Sequence, residues 1–558
     1  MLRENKIWIA NNNKGEPVYL LPAMANRHGL VAGATGTGKT VTLKVLAEAF
    51  SELGVPVFMA DVKGDIAGMM KPGEDSPNMQ ERIARFGLAE HSFSYEGCPV
   101  TFWDIYGKNG IQLRTTISEM GPLLLSRILG LNDLQSDILT VVFKIADDNN
   151  LLLIDTKDLK SMLTFVDDHS KDFQADYGKI SSASIGVITR AIVALESAGG
   201  DVFFGEPALS IADWLATGAN GRGMINILDS SSLITNGKLY SAFLLWLLSE
   251  LFETLPEVGD LDKPKMVFFF DEAHLLFNDA PKVLLDKIEQ LVKLIRSKGV
   301  GVYFCTQNPH DVPDNVLAQL NNKIQHGLRA YTPAEQKAVR AAADSFRENP
   351  EFDTFDTLLA LGTGEAVIST LDEKGIPGIA QKASVLPPKC LMGTISDAER
   401  DQTIKTSLLY SKYYNAVDPD SAYEFLQRKG IEDAAAAEKA AAEAAQQKAE
   451  EQAAAAEAKA QQKAEADAIK AQEKAAAAEA KAQEQAAAKA EKERLKKEEQ
   501  AARAKKQAIK NAGSSVASTV GRQVGQSVGG MFGSFGKQVG GNLGASLGRG
   551  LMNTLFKK

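Results

Sequence analysis

Eight consecutive residues near the N-terminus have the types and spacing of a phosphate-binding loop. The pattern is a glycine, four variable residues, a glycine, a lysine and a serine or threonine, and every fixed position is matched. In such a loop the backbone N–H groups surround phosphate oxygens, the lysine reaches the β- and γ-phosphates, and the hydroxyl binds Mg²⁺. The pattern therefore predicts binding of a nucleoside triphosphate with Mg²⁺. The eight residues are Gly33, Ala34, Thr35, Gly36, Thr37, Gly38, Lys39 and Thr40.

The segments on either side of this loop fit the order of strand, loop and helix that it requires. His28 to Ala32 is short and apolar, which is typical of a buried strand. Val41 to Phe50 has apolar side chains at helical spacing. The N-terminus of that helix would point at the anionic phosphates. These flanks favour a phosphate loop over a glycine turn with an incidental lysine.

A second acidic element lies much later in the chain, where the apolar run Met266 to Phe270 is followed by Asp271 and Glu272. Asp271 would hold Mg²⁺ or its bound water, and Glu272 would accept a proton from the water that attacks the γ-phosphate. Carboxylates are also favoured at a helix N-terminus. The two roles are compatible, so both interpretations stay open.

The next predicted strand, Gly301 to Thr306, ends at Gln307. A neutral amide at this position can contact both the γ-phosphate and the attacking water, and can pass the state of the nucleotide to residues 308–314. A polar residue at a strand end is also common for reasons of solvation alone. Its place directly after the acidic strand favours the functional interpretation.

Together the motifs GATGTGKT, FFFDEAH and CTQNPHDVP, with NNKIQHGLRAYTP after them, resemble the HerA/FtsK superfamily of RecA-like motor ATPases, and most closely the bacterial HerA-like helicase-domain proteins. The resemblance covers roughly residues 1 to 400. It implies an α/β fold with a mainly parallel sheet, ATP hydrolysis with Mg²⁺, a homo-oligomer that is usually a hexameric ring, and DNA as the polymer that is moved. It also implies that Gln307 is the sensor glutamine. Arg329 would be an arginine finger for a neighbouring subunit, with Arg296 as the alternative.

Two other nucleotide-hydrolysing classes fit the sequence less well. The tetrapeptide Asp271 to His274 spells the signature of a helicase class with two tandem RecA-like domains, but the region after Gln307 has room for the end of only one domain. His274 is therefore interpreted as a helix-start residue near the site. A GTPase would need an aspartate to read guanine, and the segment Asn322 to Gln325 has none.

The motifs divide the chain into a core, an insertion and a C-terminal extension. Charged residues at the C-terminal edge of a parallel strand lie where α/β sheets bind ligands. Asp61, Lys63 and Asp65 follow the apolar run Val55 to Ala60, so they either line the site or are simply solvated. The predicted parts are 1–110, the first part of the core; 111–220, a mainly helical insertion; 221–400, the rest of the core with the acidic strand and the sensor; 401–430, a helical connector; 431–510, a helical spacer or coiled coil rich in Ala, Glu, Lys and Gln; and 511–558, a glycine-rich, basic, amphipathic tail.

The C-terminal extension has two compositions. In residues 431–510 the segment AAAAEAKAQ occurs at 453–461 and again at 475–483. That separation of two elevens is compatible with a paired coil, while the alanine-rich surface is equally compatible with a solvated single helix. In residues 511–558 glycines recur at four-residue spacing beside aliphatic residues, with basic residues and no acidic ones. This tail would bind a membrane surface or a protein partner, or be flexible.

Composition limits the setting and leaves two functions open. The three cysteines, Cys98, Cys305 and Cys390, are far apart, and the N-terminus lacks the apolar region of a signal peptide. We therefore expect a cytoplasmic protein, with a peripheral location at the inner membrane as the alternative. The formal net charge of −9 does not indicate a basic nucleic-acid-binding surface, although a ring can hold DNA with a few loops. The alternative to a DNA motor is an ATP-gated assembly or membrane-tethering protein without a nucleic-acid substrate.

Overall fold

The computed structural model describes residues 1–218, 220–277 and 282–503. The chain divides into two units, Met1–Lys439 and Ala440–Lys558. The predicted basic tail at 511–558, together with the last residues of the predicted spacer, lies outside the described residues. The predicted core, insertion and connector all fall in the first unit.

One large sheet organises the first unit. Its strand order is β1-β2-β13-β12-β11-β4-β10-β9-β5-β8-β6-β7, and β3 pairs with β2 at one side. The strands from β11 to β7 in this order are parallel. The strands are β1 Leu2–Arg3, β2 Lys6–Asn12, β3 Pro17–Leu20, β4 Gly29–Ala32, β5 Val57–Asp61, β6 Val100–Asp104, β7 Ile111–Gln112, β8 Ile225–Asp229, β9 Met266–Phe270, β10 Val300–Thr306, β11 Asn322–His326, β12 Glu365–Ser369 and β13 Gln381–Val385.

The central strands form because their sequences are almost entirely apolar. Every residue of β4, β5, β9 and β10 is buried, which is expected of parallel strands covered on both faces. On the side of the sheet beyond β11 the pairing is antiparallel: β11 pairs with β12, β12 with β13, and β13 with β2. The predicted α/β fold with a mainly parallel central sheet is confirmed.

Helices cover the sheet and fill the interval between β7 and β8, which contains α3 to α9. Several begin with a capping box, as at Thr116, whose side chain accepts a hydrogen bond from the backbone of Glu119. The α-helices are α1 Lys39–Glu52, α2 Pro77–Arg85, α3 Ile117–Leu129, α4 Asp133–Asp148, α5 Thr156–Asp168, α6 Ser170–Tyr177, α7 Ser182–Leu195, α8 Asp201–Phe203, α9 Ile211–Trp214, α10 Gly237–Thr254, α11 His274–Phe277, α12 Lys282–Leu294, α13 Asp314–Leu317, α14 Pro333–Asp344, α15 Thr354–Ala360, α16 Asp397–Thr406, α17 Tyr410–Tyr413 and α18 Ala422–Arg503.

The main core lies between the sheet and its covering helices. Helix α10, which contains the longest apolar stretch of the sequence, is largely buried, as expected for a core helix. The three cysteines are free and buried. Within the described residues no single helix is long and apolar enough to cross a bilayer, and one bent pair, Ser170–Tyr177 with Ser182–Phe203, passes by length and composition only.

The last helix begins inside the segment predicted as a helical connector. The Ala-rich composition begins near residue 431, whereas α18 begins at Ala422. The reason is a tertiary contact: the carboxylate of Asp158 on α5 accepts hydrogen bonds from the Ser421 hydroxyl at 2.5 Å and from the Tyr423 N–H at 2.9 Å. This contact anchors the helix start on the first unit. In the second unit, residues 440–496 are exposed throughout.

Candidate active site

The predicted site residues meet at one edge of the parallel sheet. Strands β11, β4, β10, β9 and β5 are neighbours and run in the same direction. Their carboxyl ends therefore lie side by side, where open α/β sheets bind ligands. The phosphate loop follows β4, Gln307 follows β10, Asp271 and Glu272 follow β9, and Asp61 ends β5.

The phosphate loop has the backbone geometry that its glycines predict. Gly38 has φ +111° and a Cβ there would lie 3.2 Å from the backbone of Gly364, so a larger residue is disfavoured by both conformation and space. The N-terminus of α1 has no side-chain cap, which leaves its N–H groups for an anion. The Lys39 ammonium donates to the carbonyls of Gly33 at 2.7 Å and Ala34 at 3.2 Å. These features fit the phosphates of a nucleotide.

A buried histidine packs against the phosphate loop. His326, at the end of β11, is fully buried. Its Nδ1 donates to the Glu365 carbonyl at 2.9 Å, and its Nε2 accepts from the Thr42 hydroxyl at 2.8 Å. Gly33 lies directly against it, since a Cβ on that glycine would be 2.5 Å from the His326 Cβ. Burial lowers the pKa of His326 to about 4, so the ring is neutral at physiological pH and keeps both hydrogen bonds.

Glu272 is buried and held on both of its carboxylate oxygens. Its backbone has φ +48°, a strained value for a side chain of this kind. Lys63 Nζ donates to Oε1, and Gln307 Nε2 donates to Oε2 at 3.2 Å. Burial acts to raise the pKa of Glu272, but the hydrogen bonds from Lys63 and Gln307 outweigh it and the net pKa is lowered. The carboxylate is therefore ionised and oriented, as a general base requires.

Gln307 connects the loop to the base. Its Nε2 donates to Glu272, and its Oε1 accepts from the Thr35 hydroxyl of the phosphate loop at 3.4 Å. One amide thus contacts both the phosphate-binding element and the carboxylate expected to activate water. The sequence places Gln307 at a strand end, and the structure places it between these two groups.

A pair of buried carboxylates lies beside the base and fits a divalent cation. Burial raises the pKa of Asp271, although a hydrogen bond from the Cys305 thiol acts against it. Burial, with the nearby charges of Asp65 and Asp271, raises the pKa of Asp61 to about 7. The Oδ2 atom of Asp61 is buried without a hydrogen-bond partner. Oxygen ligands of this kind suit Mg²⁺, with Asp271 and the half-buried Thr40 as the predicted ligands.

Within the described part of the chain, no group of three or more His, Cys, Asp or Glu side chains forms a self-contained metal site. Mg²⁺ is usually held by one or two carboxylates together with substrate phosphates rather than by an all-protein cage. The observed donor set therefore suits a cation that arrives with a nucleotide.

The segment after β5 is the part of the site that the sequence left undecided. The Lys63 ammonium contacts Glu272, although the lysine side chain is about half exposed. The segment is fixed by Lys44, a buried lysine on α1 whose ammonium donates to the carbonyls of Asp65, Leu391 and Met392 at 2.7, 2.9 and 3.1 Å. The signal for Lys44 in the sequence is weak, because a lysine at helical spacing in an apolar face is usually read as exposed.

The two candidate arginine fingers lie at opposite edges of the sheet. Arg329 is exposed and follows β11, whose carboxyl end lies beside the phosphate loop. It has no ion-pair partner among the residues that the structure describes. Arg296 precedes β10 and lies 3.3 Å from the Asp260 carboxylate. His274, interpreted from the sequence as a helix-start residue, does begin α11, and its Nδ1 lies 3.3 Å from Glu272 Oε2.

Comparison with known proteins shows the family of the chain. The model of the family described as "Helicase HerA-like C-terminal" matches residues 6–463. The chain belongs to this family. It is 24% identical over 354 residues to the DNA double-strand break repair helicase HerA of Sulfurisphaera tokodaii, covering 61% of this chain and 62% of that protein. It is 23% identical over 354 residues to the protein of the same name from Sulfolobus acidocaldarius, covering 62% of each.

This member of the HerA-like family therefore spans about 62% of the length of these curated relatives. Among solved structures, the conjugative coupling protein TrwB is similar with a TM-score of 0.47 and 17% identity, over 71% of this chain and 92% of that one. VirB4 of Thermoanaerobacter pseudethanolicus has a TM-score of 0.43 and 15% identity, over 69% of this chain and 97% of that one. Likeness at these scores supports no statement about function.

Proposed function

We propose that this protein is an ATP-dependent motor ATPase that uses Mg²⁺ and couples hydrolysis to movement or remodelling of DNA. The observation that carries the hydrolytic part is the Gln307 amide, which contacts Thr35 of the phosphate loop and the Glu272 carboxylate at once. A phosphate loop alone would indicate binding. A buried, ionised carboxylate linked to it indicates hydrolysis.

Each residue then has a role set by its position. Lys39 neutralises charge on the β- and γ-phosphates, and the N–H groups at the start of α1 bind the phosphate oxygens. Bound Mg²⁺, held by Thr40 and Asp271, would neutralise charge that develops on the phosphates. Glu272 accepts the proton of the attacking water, and Gln307 orients that water.

The proposal extends to an oligomer, with a hexameric ring as the expected form. Arg329 is our choice for a residue that completes a neighbouring subunit's site, because it is exposed and unpaired among the described residues while Arg296 is paired with Asp260. An arginine finger supplied in trans stabilises charge on the transferred phosphoryl group.

DNA as the substrate is supported by family membership and by the names of the relatives, which are DNA repair helicases. The net charge of −9 neither favours nor excludes DNA as the substrate, since a ring holds nucleic acid through a few loops. The alternative is an ATP-gated assembly or membrane-tethering protein, for which the basic tail at 511–558 is the motivating feature.

The deciding experiment is steady-state ATP hydrolysis with and without double-stranded and single-stranded DNA. We expect DNA to increase kcat, and Glu272→Gln to retain ATP binding while losing about 100-fold or more in turnover. Glu272→Gln also serves as the control for contaminating ATPases. Hydrolysis that DNA leaves unchanged, but anionic vesicles alter, would favour the tethering alternative.

Arg329 is tested by mixing two inactive proteins. Arg329→Ala and Glu272→Gln should each be inactive alone and recover part of the activity together, because mixed oligomers contain some sites with both residues intact. Arg296→Ala in place of Arg329→Ala is the matched control. If the mixture with Arg296→Ala recovers activity and the mixture with Arg329→Ala does not, the arginine finger is Arg296.

A further inference from the structure

Lys63 forms an ion pair with Glu272 in which one side chain is exposed and the other is buried. The lysine side chain is about half exposed, at 50%, whereas that of Glu272 is 4% exposed. The ammonium reaches into the site and takes Oε1, the oxygen that Gln307 leaves free. The carboxylate is thereby held between a cation on one oxygen and an amide on the other. Two donors on different strands' ends fix both its position and its rotation.

The segment that carries Lys63 is itself fixed at both ends. On one side, the Asp61 carboxylate accepts a hydrogen bond from the Gly64 N–H at 2.7 Å and closes a tight turn. Gly64 has φ +79°, which this turn requires. On the other side, the buried Lys44 ammonium holds the Asp65 carbonyl at 2.7 Å. The turn thus presents Lys63 from a pre-formed position.

We propose that Lys63 is a positioning residue for the proposed hydrolysis: it fixes the carboxylate of Glu272 in the orientation from which that carboxylate accepts the proton of the attacking water. The inference rests on the proposed role of Glu272 and goes beyond it. Lys63 acts through Glu272 and does not itself exchange a proton with the substrate.

An exposed ion pair elsewhere in the molecule shows the contrast. Lys14 and Glu351 lie 2.7 Å apart with side chains 61% and 60% exposed, and surface pairs of this kind contribute little. Loss of Lys63 instead leaves a buried carboxylate with one oxygen free, which removes its orientation. A misplacement of about 1 Å in a catalytic group costs on the order of 100-fold in rate.

The test compares Lys63→Met, Lys63→Arg and the surface control Lys14→Met in ATP hydrolysis by the full chain. We expect Lys63→Met to lower kcat by about tenfold or more while KM for ATP stays within about twofold. Lys63→Arg should recover most of the loss, and Lys14→Met should match the wild type. A wild-type kcat in Lys63→Met, a loss confined to KM, or no recovery with Lys63→Arg would each overturn the inference.

A second measurement separates this inference from the proposed function. Thermal unfolding of the wild type, Lys63→Met, Glu272→Gln and the double variant forms a double-mutant cycle. If the pair is as described, Lys63→Met lowers Tm less in the Glu272→Gln background than in the wild type. Additive Tm changes would overturn the inference even if the wild type hydrolyses ATP. A wild type without ATPase activity would overturn the proposed function, while the coupling in Tm would still report the contact.

Discussion

Charged side chains are buried at the carboxyl edge of the sheet and exposed on the polar helix at residues 440–496. At the sheet edge, Lys44 is buried and satisfied by three carbonyls from distant segments. In the helix, every lysine and glutamate is exposed. The sheet edge therefore depends on contacts between residues hundreds of positions apart. The helix depends on local propensity, because alanine, glutamate, lysine and glutamine are strong helix formers.

This difference separates what each region can do. A site of catalysis needs side chains held in one geometry, which burial and long-range hydrogen bonds supply. A solvated helix of Ala, Glu and Lys supplies length, about 1.5 Å per residue, and tolerates substitution. Substitutions at the sheet edge should therefore have large and specific effects, and substitutions in the helix small and local ones.

The largest effect is expected from Lys39→Ala. Its ammonium is the cation of the phosphate loop and would make charge-assisted hydrogen bonds to two phosphates, each worth about 1.5–3 kcal/mol. We expect ATP binding to weaken by about 100-fold or more, measured by titration with a fluorescent ATP analogue. Lys459→Ala, on the exposed helix, should bind as the wild type does. Retained ATP affinity in Lys39→Ala would contradict the nucleotide assignment of the loop.

The central strands could be predicted because their physics is local. Strands β4, β5, β9 and β10 are almost entirely apolar, and their predicted bounds agree with the structure within about two residues. Strand β13, Gln381–Val385, was not predicted. Its sequence QKASV mixes polar and small residues, and it becomes a strand only by pairing with β12 and with β2, more than 360 residues earlier.

The candidate site divides in the same way. The phosphate loop, Asp271, Glu272 and Gln307 lie in short motifs and could be named from the sequence. The contact of Lys63 with Glu272 joins residues 209 positions apart, and nothing in the local pattern around Lys63 indicates its partner. The role of Lys44 in holding the segment after β5 and that of His326 beside the phosphate loop were missed for the same reason.

The second effect in size is a loss of stability in acid that originates at two buried histidines. Burial lowers the pKa of both His28 and His326 to about 4, below the value near 6.5 of the unfolded chain. The unfolded state then binds more protons than the folded state. The contribution of the two histidines to the free energy of unfolding is therefore complete above pH 6.5 and is lost as pH falls toward 4. The loss amounts to roughly 3 kcal/mol per histidine at most.

The measurement is denaturant unfolding of the wild type and His326→Gln between pH 7.5 and 4.5. The variant should be less stable than the wild type at pH 7.5, since it loses hydrogen bonds to Glu365 and Thr42. The gap should narrow as pH falls. The exposed His310→Gln is the control, and its free energy of unfolding should match that of the wild type. A constant gap for His326→Gln would show that the ring is not buried as described.

The smallest effects come from a matched pair of alanine substitutions. Ala47 is fully buried on α1, and Ala456 is exposed on α18. Replacement by glycine costs about 1 kcal/mol of helix propensity at either position, and Ala47→Gly also removes about 0.8 kcal/mol of buried methyl contact. Ala47→Gly should therefore lower the free energy of unfolding of the first unit by roughly 2 kcal/mol. Ala456→Gly should leave it unchanged and slightly reduce the helical signal in circular dichroism. If Ala456→Gly lowered the unfolding free energy as much as Ala47→Gly, the helix would be packed against a partner rather than solvated, and the predicted coiled coil would be favoured over the single helix.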